Sequence, residues 1–211
     1  MADYAYRKIE SNTGYRKIEA TITLPTISDL SDVASGDSLY NYLGMNGPGF
    51  DFEFGFGFDP SAGLDDEFGV YRSMVVGSTK DWAYTTLRAS AGSTYRLMIA
   101  AENGKAKCYV YDANNNEIFQ QDFNVSPMKL NGSNQRVRRV SALNCADDAA
   151  AAVTDNRWTS TLVATSTSNA NATSSNCTAS NVTDPSGNQS SWVSVTTYNS
   201  YYNENINLDI R

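Results

Sequence analysis

The chain has 211 residues, carries a formal net charge of -7 and contains no histidine. Nucleic acids and anionic membranes are bound through basic faces, and no apolar run is long enough to span a bilayer, so neither nucleic acid nor membrane insertion is expected. The lack of histidine excludes Ser-His-Asp and Cys-His catalysis and removes the usual ligand of catalytic zinc.

The N-terminal segment contains a short repeat, Tyr-Arg-Lys-Ile-Glu, at residues 6–10 and 15–19. A five-residue segment repeated once is too short for a solenoid; residues 1–14 are interpreted as an extended arm, with a hairpin or an internal duplication as the alternatives. The second copy leads into alternating apolar and polar residues up to Leu24, which predicts a half-buried strand ending near Pro25. Exposed sheet edges of this kind offer a route to homo-oligomers.

The clearest local pattern lies at residues 50–58, after a predicted strand at 38–43. Phenylalanine occupies every second position, alternating with acidic residues and glycines. In a strand, this spacing places all the rings on one face, whereas a helix would scatter them. The segment is therefore predicted to be a strand whose rings pack against a second layer.

An acidic loop is predicted at residues 59–69. Its carboxylates, Asp59, Asp65, Asp66 and Glu67, are the kind of ligand that calcium prefers. They lack the spacing of a calcium-binding loop of the Asp-x-Asp-x-Asp-Gly type. A solvated loop is the alternative.

Further strands are predicted at 70–76, 82–87 and 118–125. Between them, residues 94–111 are predicted to form a hairpin, because alternating segments flank Asn103-Gly104, a common two-residue turn.

The C-terminal third is predicted to contain strands at 158–165, 192–198 and 206–210. The alanine-rich residues 145–153 favour one or two helical turns, and the Ser/Thr/Asn-rich residues 166–190 are predicted to be a loop. Many short strands with frequent turns are typical of an all-β, two-sheet antiparallel sandwich of jelly-roll type. We expect one such domain over 1–211, with at most one short helix.

The three cysteines and the low charge content bear on where the protein works. Cys108 lies in a strand-like run and is predicted to be a buried thiol, whereas Cys145 and Cys177 are predicted to form a disulfide. Charged residues make up only 18% of the chain, and Ser, Thr and Asn are abundant. This composition favours a secreted or cell-surface protein.

The middle of the chain resembles the concanavalin A-like jelly-roll superfamily, which includes lectins, laminin-G-like modules and some glucanases. The segments that carry the resemblance are 50–58, 82–87, 92–99, 103–105 and 108–112. The resemblance implies two stacked antiparallel sheets and a carbohydrate ligand. A shared fold does not by itself establish a shared function.

Candidate ligand-binding residues lie on the face opposite the phenylalanines. Asp51 and Glu53 share that face, and exposed aromatic rings could stack on sugars. The candidate platforms are Trp82, Tyr84, Trp158 and Trp192. Alternatively, the acids form an outward polar face and each tryptophan packs in the core. The third acid of the glucanase pattern is missing, which weighs against catalysis.

Three hypotheses follow for the function. The first is an extracellular, non-catalytic, lectin-like carbohydrate-binding domain without a required cofactor. The second is a structural or adhesive surface protein, or a subunit of an extracellular assembly. The third is a glycosidase or polysaccharide lyase, for which Arg72 and Arg96 could supply lyase chemistry. The basic cluster at 136–139 is interpreted as a solvated strand face, with an anion site as the alternative.

Overall fold

A computed structural model describes residues 3–146, 150–166, 168–183 and 190–211. Short 3-10 turns occur at Ile27–Asp29, Pro60–Ala62 and Ser190–Trp192. The strands, in chain order, are β1 (Asp3–Ser11), β2 (Lys17–Thr23), β3 (Leu30–Ser31), β4 (Ser38–Gly47), β5 (Phe50–Asp59), β6 (Leu64–Val76), β7 (Thr79–Ser90), β8 (Thr94–Glu102), β9 (Lys105–Tyr111), β10 (Glu117–Asn124), β11 (Arg136–Cys145), β12 (Ala152–Ala164), β13 (Ala170–Asn171), β14 (Cys177–Thr183), β15 (Val193–Asn199) and β16 (Asn203–Asp209).

The strands form two antiparallel sheets packed face to face, as predicted for a β-sandwich. The seven-stranded sheet has the order β14-β1-β11-β4-β5-β6-β7. The nine-stranded sheet has the order β10-β9-β8-β2-β12-β16-β15, with the short strands β3 and β13 pairing to β12. The predicted hairpin at 94–111 is present as β8 and β9. In the described residues, no helix is long and apolar enough to cross a membrane.

The phenylalanine pattern forms the centre of the hydrophobic core. All five rings on β5 are buried, with at most 5% of any residue exposed. Phe52 and Phe54 contact Phe123, and Phe56 contacts Tyr95, so the rings bridge to the opposite sheet. Burial of each ring contributes about 2–3 kcal/mol to stability. The period-two spacing therefore fixes which face of the seven-stranded sheet points inward.

A charged cluster also lies between the sheets. Arg139 on β11 and Glu204 on β16 are almost fully buried and form an ion pair. Arg7 on β1 donates to the other oxygen of Glu204 at 2.5 Å. Arg139 also donates to the hydroxyl of Thr161 at 2.7 Å. Two guanidinium groups therefore share one buried carboxylate, and Nε of Arg139 has no hydrogen-bond partner among the described residues, so the cluster joins the two sheets with one positive charge in excess.

Several predicted elements differ from the structure. Cys145 ends β11, and β12 begins at Ala152; residues 147–149 of the predicted helical turns lie outside the described residues. The range 166–190, predicted as a loop, contains β13 and β14. Most of the N-terminal segment 1–14 forms β1, which pairs on one side with β11 and on the other with β14.

The predicted disulfide is wrong. Cys145 and Cys177 are both free, buried thiols, as is Cys108. Cys145 pairs with Asp3 at one end of β1, whereas Cys177 pairs with Ser11 at the other end. Eight residues of strand separate these positions by about 27 Å, far beyond the reach of a disulfide.

Candidate functional site

The outer face of the seven-stranded sheet is built in rows that run across the strands. Glu53 on β5 lies opposite Gly44 on β4 and Ser73 on β6, and Ser73 lies opposite Trp82 on β7. Arg138 on β11 completes this row beyond Gly44. The row therefore places an acid, a base and an indole on one face, although they come from distant parts of the sequence.

The next row places aromatic rings beside a glycine. Gly55 lies between Tyr42 on β4 and Tyr71 on β6, and Tyr71 lies opposite Tyr84 on β7. The centroids of the Tyr42 and Tyr71 rings are 6.3 Å apart. The tyrosines thus form a continuous layer over the middle of the sheet.

Two further glycines make room for this layer. A Cβ atom at Gly57 would lie 2.8 Å from the hydroxyl of Tyr84 and 2.9 Å from a ring carbon of Tyr40. A Cβ atom at Gly69 would lie 2.6 Å from the Tyr84 ring. The space that glycine leaves on β5 and β6 is therefore filled by tyrosine side chains of this chain.

A groove of about 410 Å³ lies above the layer. On its other side, Tyr6 on β1 and Tyr40 on β4 flank the small side chain of Ala142 on β11. Six of the nine lining residues are aromatic and one, Glu53, is acidic. The lining residues are Tyr4, Tyr6, Tyr40, Tyr42, Glu53, Tyr71, Trp82, Ala142 and Asn144.

Two carboxylates share one guanidinium at the acidic end of the groove. Nη2 of Arg138 donates to Asp51 at 2.6 Å and to Glu53 at 2.9 Å. Arg138 is only 8% exposed, so the predicted solvated basic face is wrong at this position. Arg139, its neighbour in the cluster, faces the core. Arg136 is exposed and bridges to Glu10 at 3.3 Å.

The surroundings of Glu53 oppose its ionisation. Burial raises the pKa of Glu53 above the ordinary glutamate value, and the charge of Asp51 adds to the rise. The positive charge of Arg138 acts in the opposite direction and is outweighed. Burial, followed by the charge of Glu53, raises the pKa of Tyr42, which keeps that hydroxyl a hydrogen-bond donor. A carboxyl whose pKa is raised in this way is a candidate acid-base group.

Tyr71 offers an unused polar group at the same place. The residue is 2% exposed, and its hydroxyl has no hydrogen-bond partner among the described residues. A buried hydroxyl without a partner is costly. It is enclosed by the surrounding side chains, so Tyr71 contributes to the tyrosine layer and not an open hydrogen-bonding position in the groove.

The structure brings together some of the predicted site residues and separates others. Asp51 and Glu53 lie on the outer face of the sheet, as predicted, and Trp82 and Tyr84 lie on the same face. Trp158 is fully buried in the core and donates to Ser141 at 2.8 Å, so it is not a ligand platform. Trp192 packs partly buried against the core and does not line the groove.

The predicted calcium ligands do not converge. Asp59 caps a 3-10 turn by accepting from the backbone of Ser61 at 3.0 Å, and Asp65 and Asp66 are exposed on β6. Glu67 pairs instead with Arg88 at 3.4 Å. Across the described ranges, no group of three or more acidic, cysteine or histidine side chains could hold a metal ion.

Most of the residues that line the groove were not identified from the sequence pattern. Tyr4 with Tyr6, and Tyr40 with Tyr42, are spaced two apart, which does indicate a shared strand face. That spacing alone does not show which strands are neighbours. Only the register of five strands shows that these pairs and Tyr71 surround one groove.

Fold and site together define an all-β sandwich with an aromatic, acid-containing groove on one sheet. No protein-family model and no curated protein matches the sequence. Among solved structures, scytalido-glutamic peptidase with a transition-state analogue is similar, with a TM-score of 0.63, 10% identity and 95% of each chain covered. SCP-B, a member of the eqolisin family of peptidases, was solved with the tripeptide Ala-Ile-His. It is similar with a TM-score of 0.63, 9% identity and 96% of each chain covered.

These comparisons establish a shared fold over nearly the whole chain, and they correct the functional expectation. The prediction of a non-catalytic, lectin-like domain is contradicted, because these two structures, which match over nearly the whole chain, are peptidases. The CBM2 module of the evolved Dit protein of Lactobacillus casei BL23 phage J-1 aligns with a TM-score of only 0.39, which supports no inference. No concanavalin A-like family is named among these neighbours.

Proposed function

We propose that the protein is a peptide hydrolase that uses Glu53 as its acid-base group. The observation that carries the proposal is a carboxyl with a raised pKa at the floor of an open aromatic groove. The end-to-end likeness to two peptidases supports the choice of a peptide as the substrate. The composition remains in favour of a secreted or cell-surface enzyme.

The groove has groups suited to an extended peptide. Its aromatic walls can pack against side chains of the substrate. Arg138 holds the carboxyl of Glu53 in place through its hydrogen bond at 2.9 Å. Positioning of this kind is a large part of what an enzyme contributes to catalysis.

The proposed reaction needs only water and the substrate. Ionised Glu53 accepts a proton from water while the water oxygen attacks the peptide carbonyl carbon. When the C–N bond breaks, protonated Glu53 returns the proton to the leaving nitrogen. The products are a carboxylic acid and an amine, and Glu53 regains its starting state.

Cleavage of unfolded protein substrates between about pH 3 and pH 7 tests the proposal, with new termini identified by mass spectrometry. We expect the native chain to cleave and Glu53→Gln to lose at least about 100-fold in rate. Glu67→Gln is the control, since that carboxylate is exposed and lies in a surface ion pair.

Two results would overturn the proposal. The first is full activity in Glu53→Gln, or no cleavage by the native chain at any pH. The second is release of sugar ends from a polysaccharide panel that depends on Glu53, which would assign the groove to saccharides. Circular dichroism on each variant separates loss of activity from loss of fold.

A further inference from the structure

The aromatic rings around Glu53 form walls at steep angles to one another. Tyr42 and Tyr71 have an interplanar angle of 78°, and Trp82 and Tyr84 one of 75°. Trp82, at 46% exposed, and buried Tyr71 have ring centroids 6.1 Å apart. Of these four rings, only Trp82 is exposed, so its indole face is the one on which an ammonium group could bind.

The charges at this end of the groove do not balance. Asp51 and Glu53 both depend on the single guanidinium of Arg138. With both carboxylates ionised, one negative charge remains uncompensated beside the rings. Within the described part of the chain, no lysine or arginine lines the groove, so no side chain of the lining itself supplies the missing positive charge.

We propose that this end of the groove binds a cationic group, the ammonium or guanidinium of a basic residue in a peptide, between Trp82 and Glu53. The inference rests on the proposed function for the peptide nature of the ligand, and it adds the side-chain class. The cation interacts with the indole face and with the unbalanced carboxylate. A neutral side chain of the same shape gains only the apolar contact.

The cation also affects the proposed chemistry. A positive charge beside Glu53 favours the ionised carboxylate, which is the form that accepts a proton from water. A basic residue near the cleaved bond would therefore assist its own hydrolysis, whereas an acidic residue would oppose it.

Three alanine-rich peptides, acetylated and amidated, test the inference. They differ only at a central position, which is lysine, norleucine or glutamate. Their affinity is measured at about pH 7 by calorimetry and by the fluorescence of Trp82. We expect the lysine peptide to bind about tenfold more tightly than the norleucine peptide, and the glutamate peptide to bind most weakly.

Two variants locate the effect. Trp82→Leu removes one wall without touching the acids and should abolish the lysine preference, as measured by calorimetry. Tyr109→Ala is the matched control, since Tyr109 stacks on Tyr111 at 6.1 Å on the outer face of the other sheet. It should leave the preference intact.

The possible outcomes separate this inference from the proposed function. Equal affinity for lysine and norleucine, no binding of the lysine peptide, or a preference that survives Trp82→Leu overturns the cation site. Cleavage without a lysine preference overturns the cation site alone. A lysine preference without cleavage overturns the hydrolase proposal and leaves a cation-binding groove.

Discussion

Arg139 and Glu204 form a buried ion pair that links the middle of one sheet to the other sheet. They are 65 positions apart in the sequence, and their side chains are 1% and 0% exposed. Arg7 contacts the same carboxylate, so two guanidinium groups depend on Glu204. Burial lowers the pKa of Arg139 to about 10, and the charge of Glu204 counters that fall.

Loss of Glu204 should be strongly destabilising. Glu204→Gln leaves two buried or partly buried cations without a counter-charge, and we expect the free energy of unfolding to fall by about 3–5 kcal/mol. Urea denaturation measures the change. Glu67→Gln, which disrupts an exposed pair with Arg88, should cost less than about 1 kcal/mol. A similar fall in the free energy of unfolding in the two variants would show that burial does not determine how much an ion pair contributes to stability.

The acid side of the pH profile should depend on Glu53. The proposed reaction requires ionised Glu53, and burial raises its pKa, so kcat/KM should fall on acidification at a higher pH than for an ordinary glutamate. The charged and titratable groups that face it are Asp51, Arg138 and Tyr42.

Asp51→Asn should move the acid side of the kcat/KM profile to lower pH. The negative charge of Asp51 raises the pKa of Glu53, so its removal lets Glu53 stay ionised in more acidic solution. Asp66→Asn, on the exposed edge of β6, should leave the profile unchanged. If the acid side of the kcat/KM profile does not move in Asp51→Asn, Asp51 does not control the ionisation of Glu53.

Gly57→Ala should disturb the tyrosine layer. The added methyl group would lie 2.8 Å from the Tyr84 hydroxyl and 2.9 Å from the Tyr40 ring, so at least one ring must move. We expect a loss of about 1–3 kcal/mol in unfolding free energy and weaker peptide binding.

A double variant checks that explanation. Tyr84→Phe removes the hydroxyl that the new methyl group would meet, so Gly57→Ala should cost less in a Tyr84→Phe background. Strictly additive losses would show that the clash with Tyr84 does not cause the effect.

The three cysteines should be unreactive in the folded protein. Burial raises the pKa of Cys145 to about 12 and that of Cys177 to about 11, and burial also raises the pKa of Cys108. Thiolates are the reactive species, so a thiol-specific reagent should label none of them at neutral pH and all of them in denaturant. A reductant should leave the melting temperature unchanged. Fewer than three labelled thiols in the unfolded chain would indicate a disulfide.

The parts of the fold that were predictable from the sequence are those with strong local periodicity. The phenylalanines of β5 and the hairpin around Asn103-Gly104 are specified by residues close together in the chain. By contrast, β14 is rich in Ser, Thr and Asn and has a weak apolar pattern. Its position beside β1 depends on pairing with a distant segment of the chain. Local sequence carries little information of that kind.

The site was only partly predictable for the same reason. Asp51, Glu53 and Trp82 follow from alternation along single strands. The burial of Arg138 does not, because its two carboxylate partners lie 87 and 85 positions earlier in the chain. The groove likewise draws its tyrosines from β1, β4 and β6, and only the strand order brings them together.

The placement of β1 has a consequence for how the molecule is made. This strand is synthesised before its two neighbours, β11 and β14, which end only at Cys145 and Thr183. Tyr4 and Tyr6 therefore cannot be incorporated into their sheet until most of the polypeptide has been synthesised. Strand pairing between segments far apart in the sequence is intrinsically slow, so the aromatic groove should be among the last parts of the newly synthesised protein to form.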